Sequence, residues 1–130
     1  MGTRKRVIVD TDVLVDVLRG VGKTVAFVAG LEDEGFRLAT TVINASELYY
    51  GAYKSKKMQQ NLAVVRELLS RMVVLKINER SAEKAGQIYA ELEAEGRPID
   101  LRDVLIGAVA VTEGYTLVQG MQRTSEELEV

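Results

Sequence analysis

Two aspartates directly follow a short apolar run near the start of the chain. The run is Val7–Val9, and Asp10 and Asp12 stand just after it, one residue apart. A run of β-branched residues is typical of a buried strand in a parallel sheet. Because sites in open α/β sheets form outside the carboxyl ends of the strands, the pattern puts a carboxylate where chemistry usually takes place.

Two further acids lie in apolar surroundings at the ends of predicted elements. Glu47 lies near the start of one predicted helix, and Asp103 lies in the first turn of another. Each follows a strand or a loop, so we expect both to gather with Asp10 and Asp12 at one edge of the sheet. Carboxylates that converge without a basic partner repel and raise each other's pKa values. A divalent cation removes that repulsion, so the pattern indicates a metal centre.

The composition narrows the chemistry. The 130 residues include neither His nor Cys, which excludes histidine-ligated zinc, Ser-His triads and cysteine nucleophiles. Carboxylates without nitrogen or sulfur ligands favour hard cations, Mg²⁺ or Mn²⁺. The formal net charge is -2, so any affinity for nucleic acid must come from local basic patches.

Each acid also has a purely structural interpretation. Asp12 fits the N-cap of the first predicted helix, and so does Thr11. Asp100 fits the N-cap of the helix that holds Asp103, and the two resemble a capping pair. Glu47 and Asp103 could each complement the dipole of their own helix. A single acid in a first turn is usually structural, and only the combined pattern favours a site.

The elements that must position these acids alternate between strands and helices. Strands are predicted at Val7–Val9, Arg37–Thr41, Val73–Ile77 and Tyr115–Val118. One helix is predicted to run from a cap at Thr11 or Asp12 to about Leu18, and further helices are predicted at Lys23–Glu34, Val42–Lys54, Gln59–Met72, Glu79–Glu95 and Leu101–Glu113. The alternation predicts an α/β fold with parallel pairing and helices on both faces of the sheet. Without an internal repeat or linker, we expect one domain over residues 1–130.

The sequence also favours a cytoplasmic protein that makes no membrane contact. No apolar stretch approaches the roughly 18 residues of a membrane helix. The apolar run after the basic residues at the N-terminus is interrupted by aspartates, so we do not expect it to act as a signal peptide.

Three segments together resemble a known family. They read Val-Ile-Val-Asp-Thr-Asp-Val-Leu at 7–14, Asn-Ala-Ser-Glu-Leu-Tyr-Tyr-Gly at 44–51, and Leu-Arg-Asp-Val-Leu-Ile-Gly-Ala-Val-Ala at 101–110. In this order and spacing they resemble the PIN domain, particularly the VapC toxins of prokaryotic toxin–antitoxin pairs. The resemblance implies a three-layer α/β/α sandwich around a mainly parallel sheet. It also implies a Mg²⁺- or Mn²⁺-dependent ribonuclease, often a homodimer, that is inhibited by a VapB-type antitoxin.

The resemblance also assigns roles to residues. Asp10, Glu47 and Asp103 match the conserved acids of the family, so we expect them to hold the metal and to be catalytic. Asp12 is expected to contribute through a metal-bound water. Thr11 matches the small hydroxyl residue beside the first acid. A water activated by the metal would attack the RNA phosphate and leave 5′-phosphate and 3′-hydroxyl ends.

Basic residues must hold the RNA backbone, because the net charge does not attract it. The candidates for substrate binding are Thr11, Lys54 and Arg102, and further basic residues nearby are Lys56, Lys57 and Arg97. For each basic residue the alternative is an ordinary solvated surface charge. Stacking of exposed bases would need aromatic rings, which Tyr49, Tyr50 and Tyr53 could supply unless they serve in helix packing or dimer contacts.

One stretch departs from the family pattern. The family usually carries a fourth acid or an Asn after the last strand, and Met121 stands at that place here. Glu126 and Glu127 are the acids that could substitute for it. The departure leaves open a one-metal enzyme, a weakened nuclease, a site completed by a neighbouring subunit, or a binding scaffold without cleavage.

A second family shares the first motif. Asp10-Thr-Asp12-Val-Leu resembles the first motif of haloacid-dehalogenase-type phosphatases, in which Asp10 would be the nucleophile and Asp12 the general acid. Those enzymes also need a lysine and a further acidic pair late in the chain. The late acids here are Asp100 and Asp103, and no well-placed lysine follows Lys84.

Overall fold

The computed structural model describes residues 5–120, in which four strands alternate with six helices. The strands are β1 (Arg6–Val9), β2 (Arg37–Thr41), β3 (Val73–Leu75) and β4 (Thr116–Val118). The helices are α1 (Thr11–Leu18), α2 (Gly22–Asp33), α3 (Val42–Tyr53), α4 (Met58–Ser70), α5 (Glu79–Ala94) and α6 (Leu101–Glu113). Every predicted element is present, although β3 ends at Leu75 and not at Ile77.

The strands form a fully parallel sheet in the order β3-β2-β1-β4. Ile8 of β1 lies opposite Ala39 of β2 on one side and opposite Leu117 of β4 on the other. From β1 the chain moves outward through β2 and β3, and it returns to the opposite side of β1 as β4. The carboxyl end of β1 therefore opens at the point where the direction of winding reverses, which is where open α/β sheets bind ligands.

Alternate residues of β1 enter two different cores. Val7 and Val9 face a core shared with α1, α3 and α4, whereas Ile8 faces the core beneath α6. Successive side chains of a strand point to opposite faces, and all three are buried. Such a run is stable only when helices cover both faces of the sheet, and the predicted α/β/α arrangement is confirmed.

Helix α5 completes the layer on the α6 side. It packs on the outer face of α6 through a small cluster of buried residues, Ala85, Val104 and Ala108. The small side chains of this cluster let the two helices approach closely. The position of α6, and with it the first turn that carries Asp103, is therefore set by the sheet on one side and by α5 on the other.

No helix within residues 5–120 has both the length and the apolar character needed to cross a membrane.

The core beneath α6 should govern stability. Ile106 is 1% exposed and packs among Ile8, Ala39 and Val109. We expect Ile106→Ala to lower the free energy of unfolding by about 2–5 kcal/mol, because it removes buried methyl groups and leaves a cavity. Val111→Ala, on the exposed side of the same helix, should change it by less than about 0.5 kcal/mol. Urea denaturation of both variants measures the difference, and equal losses would contradict this core assignment.

Candidate functional site

Asp10 joins the end of β1 to the start of α1. Its backbone N–H donates to the carbonyl of Val118 in β4 at 2.9 Å, which extends the sheet by one hydrogen bond. Its side chain is the N-cap of α1, because Oδ1 accepts from the backbone N–H of Thr11 at 2.7 Å. The cap is therefore Asp10, and the expectation that Thr11 or Asp12 caps this helix was wrong. The residue is 3% exposed, so its charge is held away from water.

Glu47 reaches the same place from α3. It is the sixth residue of that helix and lies in the second turn, not in the first turn as the sequence suggested. A helix dipole acts mainly within the first turn, so complementing the dipole does not explain this acid. The hydroxyl of Thr11 donates to Glu47 Oε1, which joins the first turn of α1 to α3.

Asn44 is the residue that sequence reasoning missed. It is completely buried, and its Nδ2 donates to Asp10 Oδ1 at 2.7 Å and to Thr11 Oγ1 at 2.8 Å. Its Oδ1 accepts from the hydroxyl of Thr41 at 2.7 Å, within the capping box that starts α3. The sequence signal that could have identified Asn44 is its position three residues after Thr41 at a helix start, which is the spacing of a capping box. The amide thus anchors the first acid to the helix that carries Glu47.

Arg102 lies at the centre of the acids. Nε donates to Glu47 Oε2 at 2.6 Å and Nη2 to Asp10 Oδ1 at 2.8 Å. Nη1 donates to Asp103 Oδ1 at 2.8 Å. The expectation that the carboxylates converge without a basic partner was wrong, because one guanidinium contacts all three. Arg102 was predicted to bind substrate, and here its side chain points into the acidic cluster, defined as Asp10, Glu47 and Asp103.

These contacts shift the ionisation of both partners. The hydrogen bond from Arg102 is the largest cause that holds the pKa of Glu47 below its ordinary value of 4.5. The Thr11 hydrogen bond and the positive charge of Arg102 act in the same direction, while burial opposes them. The pKa of Arg102 is raised, mainly by its hydrogen bond to Glu47 and then by those to Asp10 and Asp103. Glu47 and Arg102 are therefore both ionised at neutral pH.

Asp103 is attached to the cluster through Arg102. It lies in the first turn of α6 as predicted, and its side chain is half-exposed. Asp100 caps the helix, since its Oδ1 accepts from the backbone N–H of Arg102 at 3.0 Å, which confirms the cap assigned from sequence. Asp103 accepts from the guanidinium of Arg102, and that contact replaces the reciprocal capping bond that a capping pair would make.

Asp12 connects α1 to the segment that follows β4. Its Oδ2 accepts from the backbone N–H of Gly120 at 3.0 Å, and its Oδ1 accepts from that of Val13 at 2.8 Å. A Cβ atom at position 120 would lie 2.5 Å from Asp12 Oδ2, so a larger residue there would force the carboxylate of Asp12 to shift. Met121 lies outside the described residues, as do Glu126 and Glu127, and the expectations for these positions stay predictions.

An open cleft of about 370 Å³ exposes this arrangement to solvent. Its walls bring together five of the residues predicted from sequence, which are Asp10, Thr11, Asp12, Glu47 and Arg102. Lys54 is not among them. Its ammonium group stacks on the ring of Tyr50, 4.8 Å from the centroid, about 10 Å beyond Glu47 along α3. Arg97 is paired with Glu95 at 3.5 Å on the surface.

The acidic cluster supplies the right donor atoms for a hard cation. Carboxylate oxygens, with a hydroxyl from Thr11 beside them, are the ligands that Mg²⁺ and Mn²⁺ prefer. Their spacing, however, is set around the guanidinium of Arg102. Within the part of the chain that the structure describes, no three acidic side chains are already arranged to hold a metal ion. The donor atoms of these residues therefore fit a divalent cation, and each of the three acids contacts Arg102.

Comparisons with known sequences give matches over most of the chain. Residues 7–120 match the family model described as the PIN domain. Ribonuclease VapC2 of Haemophilus influenzae is 31% identical over 119 residues, which cover 92% of this chain and 89% of that protein. The tRNA(fMet)-specific endonuclease VapC of Salmonella typhimurium is 37% identical over 92 residues, covering 71% of this chain and 70% of its own length.

Solved structures share the fold. The DNA-bound VapBC of Salmonella typhimurium superposes with a TM-score of 0.80 at 30% identity, over 93% of this chain and 90% of that one. VapBC2 of Rickettsia felis, bound to a DNA fragment from its promoter, gives a TM-score of 0.79 at 25% identity, over 93% and 92%. Both similarities extend over nearly the whole chain.

The amide of Asn44 should be essential for the position of Asp10. We expect Asn44→Ala to lower the free energy of unfolding by about 1–3 kcal/mol, because it removes one donor to the buried Asp10 carboxylate and the acceptor of the buried Thr41 hydroxyl. The side-chain amide of Asn61 is partly buried and donates to the hydroxyl of Ser55 at 2.8 Å. Asn61→Ala should therefore destabilise the protein by no more than about 0.5–1.5 kcal/mol. Urea denaturation compares the two, and a smaller loss for Asn44→Ala would argue against this role.

Proposed function

Because this chain belongs to the PIN domain family, we propose that it is a ribonuclease of the VapC toxin class that hydrolyses RNA phosphodiester bonds with Mg²⁺ or Mn²⁺. The relatives that cover most of the chain are named ribonucleases or endonucleases. The observation that carries the proposal is the buried Asp10 carboxylate at the carboxyl end of the central strand, with Glu47 and Asp103 around the same guanidinium.

In the proposed mechanism, the cation supplies the chemistry and the protein residues hold and orient its ligands. Asp10, Glu47 and Asp103 would hold the cation, which when bound supplies an activated water and stabilises charge on the scissile phosphate. The chain keeps its first ligand oriented, because Asn44 and the backbone N–H of Thr11 both donate to Asp10 Oδ1. The Thr11 hydroxyl, between Asn44 and Glu47, orients the carboxylate of Glu47 in the same way. Asp12, at the wall of the cleft, would contact a water bound to the cation.

Substrate binding rests on local groups, since the chain is acidic overall. Lys54, the C-cap residue of α3, and Tyr50 form an exposed cation and ring pair. Lys54 lies two helical turns beyond Glu47 and hence on the same side of the helix. Such a pair can hold a phosphate and stack an unpaired base of a single-stranded RNA. Thr11 and Arg102 lie at the cleft itself, where the scissile phosphate would sit. Tyr49 packs against the core and is unavailable for stacking.

The similar structures also suggest partners. They are VapBC complexes from Salmonella typhimurium and Rickettsia felis, both bound to DNA. For this chain we propose a VapB-like antitoxin and a homodimeric state. The cytoplasm, where RNA and such an antitoxin are found together, is the proposed location.

The family membership favours RNA hydrolysis over the phosphatase alternative, in which Asp10 acts as a nucleophile. The binding scaffold is the second candidate function. One observation favours it, namely that Arg102 already neutralises part of the charge that a cation would otherwise neutralise. Cleavage assays separate the scaffold from the ribonuclease.

Asp10→Asn should abolish metal-dependent cleavage while preserving the fold. The amide has the size of the carboxylate but lacks the charge that holds a cation. The rate should fall by more than the roughly 10–100-fold that losing an outer-shell partner of a metal ligand costs. Cleavage of a mixed-sequence single-stranded RNA with Mn²⁺, and with EDTA as the blank, measures the rate, and circular dichroism checks the fold.

The matched control is Asp16→Asn. Asp16 lies on the same helix and accepts a hydrogen bond from Thr24 at 3.2 Å, away from the acidic cluster. The Asp16→Asn variant should cleave RNA like the wild type. Equal cleavage by Asp10→Asn and the wild type would refute the assignment of Asp10. A wild type that never cleaves above the EDTA blank would favour the scaffold.

A further inference from the structure

One guanidinium takes the place in the acidic cluster that a cation would need. Its nitrogens together donate to all three carboxylates, Nε to Glu47 at 2.6 Å, Nη1 to Asp103 at 2.8 Å, and Nη2 to both Asp10 and Glu47 at 2.8 Å. We propose that Arg102 is a built-in counter-ion that competes with the divalent cation for the same carboxylate oxygens, so that binding of the metal requires Arg102 to leave the cluster. The inference rests on the proposed function, which supplies the divalent cation.

Charge and geometry both prevent the Arg102 guanidinium and a divalent cation from occupying the acidic cluster at the same time. The N–H groups of Arg102 already use lone pairs of Asp10 Oδ1 and of both oxygens of Glu47. A divalent ion bound to those oxygens would bring a second positive charge next to the guanidinium. At close range and away from bulk water, two positive groups repel each other strongly. The repulsion would therefore favour an exchange of one positive group for the other.

Arg102 is free to move without damage to the first ligand. Its side chain is 28% exposed, whereas that of Asp10 is 4% exposed. The backbone of Arg102 is held separately, by the cap that Asp100 provides, so the side chain can turn outward while α6 stays in place. Asp10 keeps its hydrogen bonds from Asn44 and Thr11. The departure of Arg102 thus leaves an oriented carboxylate and not a collapsed one.

The exchange has two consequences for the protein. Without metal, Arg102 removes the repulsion that three adjacent carboxylates would otherwise cause. With metal, the same contact lowers the apparent affinity, since only the fraction of molecules with Arg102 outside the cluster can bind. The released side chain would stand at the rim of the cleft, where a phosphate could accept its hydrogen bonds.

Removing the competitor should strengthen metal binding. We expect Arg102→Gln to bind Mn²⁺ about tenfold more tightly than the wild type if Arg102 occupies the cluster in roughly nine of ten molecules. Isothermal titration calorimetry with Mn²⁺ alone, without RNA, measures the affinity. Arg97→Gln is the matched control, because Arg97 pairs only with the exposed Glu95 among its described ion pairs. That variant should bind Mn²⁺ like the wild type.

The outcomes separate this inference from the proposed function. Equal or weaker binding by Arg102→Gln overturns the competition and leaves the metal-dependent ribonuclease standing. Absence of Mn²⁺ binding in both proteins overturns the competition together with the metal dependence. Tighter binding by Arg102→Gln supports the competition whether or not the RNA chosen for the cleavage assay is a substrate.

A measurement on the wild type tests the same proposal if Arg102→Gln fails to fold. In ¹⁵N-labelled protein, the Nε–Hε signal of Arg102 reports its hydrogen bond to Glu47, and its loss in Arg102→Lys assigns it. Adding Mg²⁺, which is diamagnetic, should move this signal toward that of the exposed Arg97. A signal that stays in place while calorimetry shows Mg²⁺ binding would overturn the proposal.

Discussion

A buried negative charge at the end of the central strand is the constraint on which this structure depends. Asp10 follows β1, whose neighbours on both sides are strands, and at the wall of the cleft it is only 3% exposed. An unpaired buried carboxylate is too costly to persist in a folded protein. Three kinds of donor pair with the Asp10 carboxylate, namely the backbone N–H of Thr11, the amide of Asn44 and the guanidinium of Arg102.

Those partners come from three separate elements, so the stability of the fold and the geometry of the site depend on each other. Thr11 begins α1, Asn44 belongs to the capping box of α3, and Arg102 lies in the first turn of α6. Each helix starts at the same edge of the sheet, because each one follows a strand or loop that ends there. A shift of α3 or α6 would remove a partner from Asp10, and the site therefore helps to hold its own supporting helices in place.

The same arrangement explains why a site built from acids has a basic centre. Three carboxylates at one edge need positive charge, whether or not a metal is present. An arginine next to Asp103 in the sequence satisfies that need from within the chain. In the proposed competition, a divalent cation displaces this arginine before the carboxylates become its ligands.

Much of this could be predicted from the sequence, for identifiable reasons. The apolar run before Asp10 and the glycines after the helices are local signals, and all ten elements were predicted in the right order. The acids at element ends were recognisable because their neighbours are apolar. Asp100 could be assigned as a cap, since capping depends on residues two or three positions away. The start of α1 was misjudged because Asp10, Thr11 and Asp12 are all capping residue types.

The sequence by itself thus determined the fold class and the identity and placement of the acids, because these depend on hydrophobic periodicity and on residues close in the chain. Only the tertiary structure decided what the acids contact. Arg102 meets Asp10 across 92 positions, Asn44 meets it across 34, and Gly120 meets Asp12 across 108. The direction of such side chains follows from how helices pack against the sheet, which no local pattern encodes. That packing turned an expected metal site into a cluster that an arginine already fills.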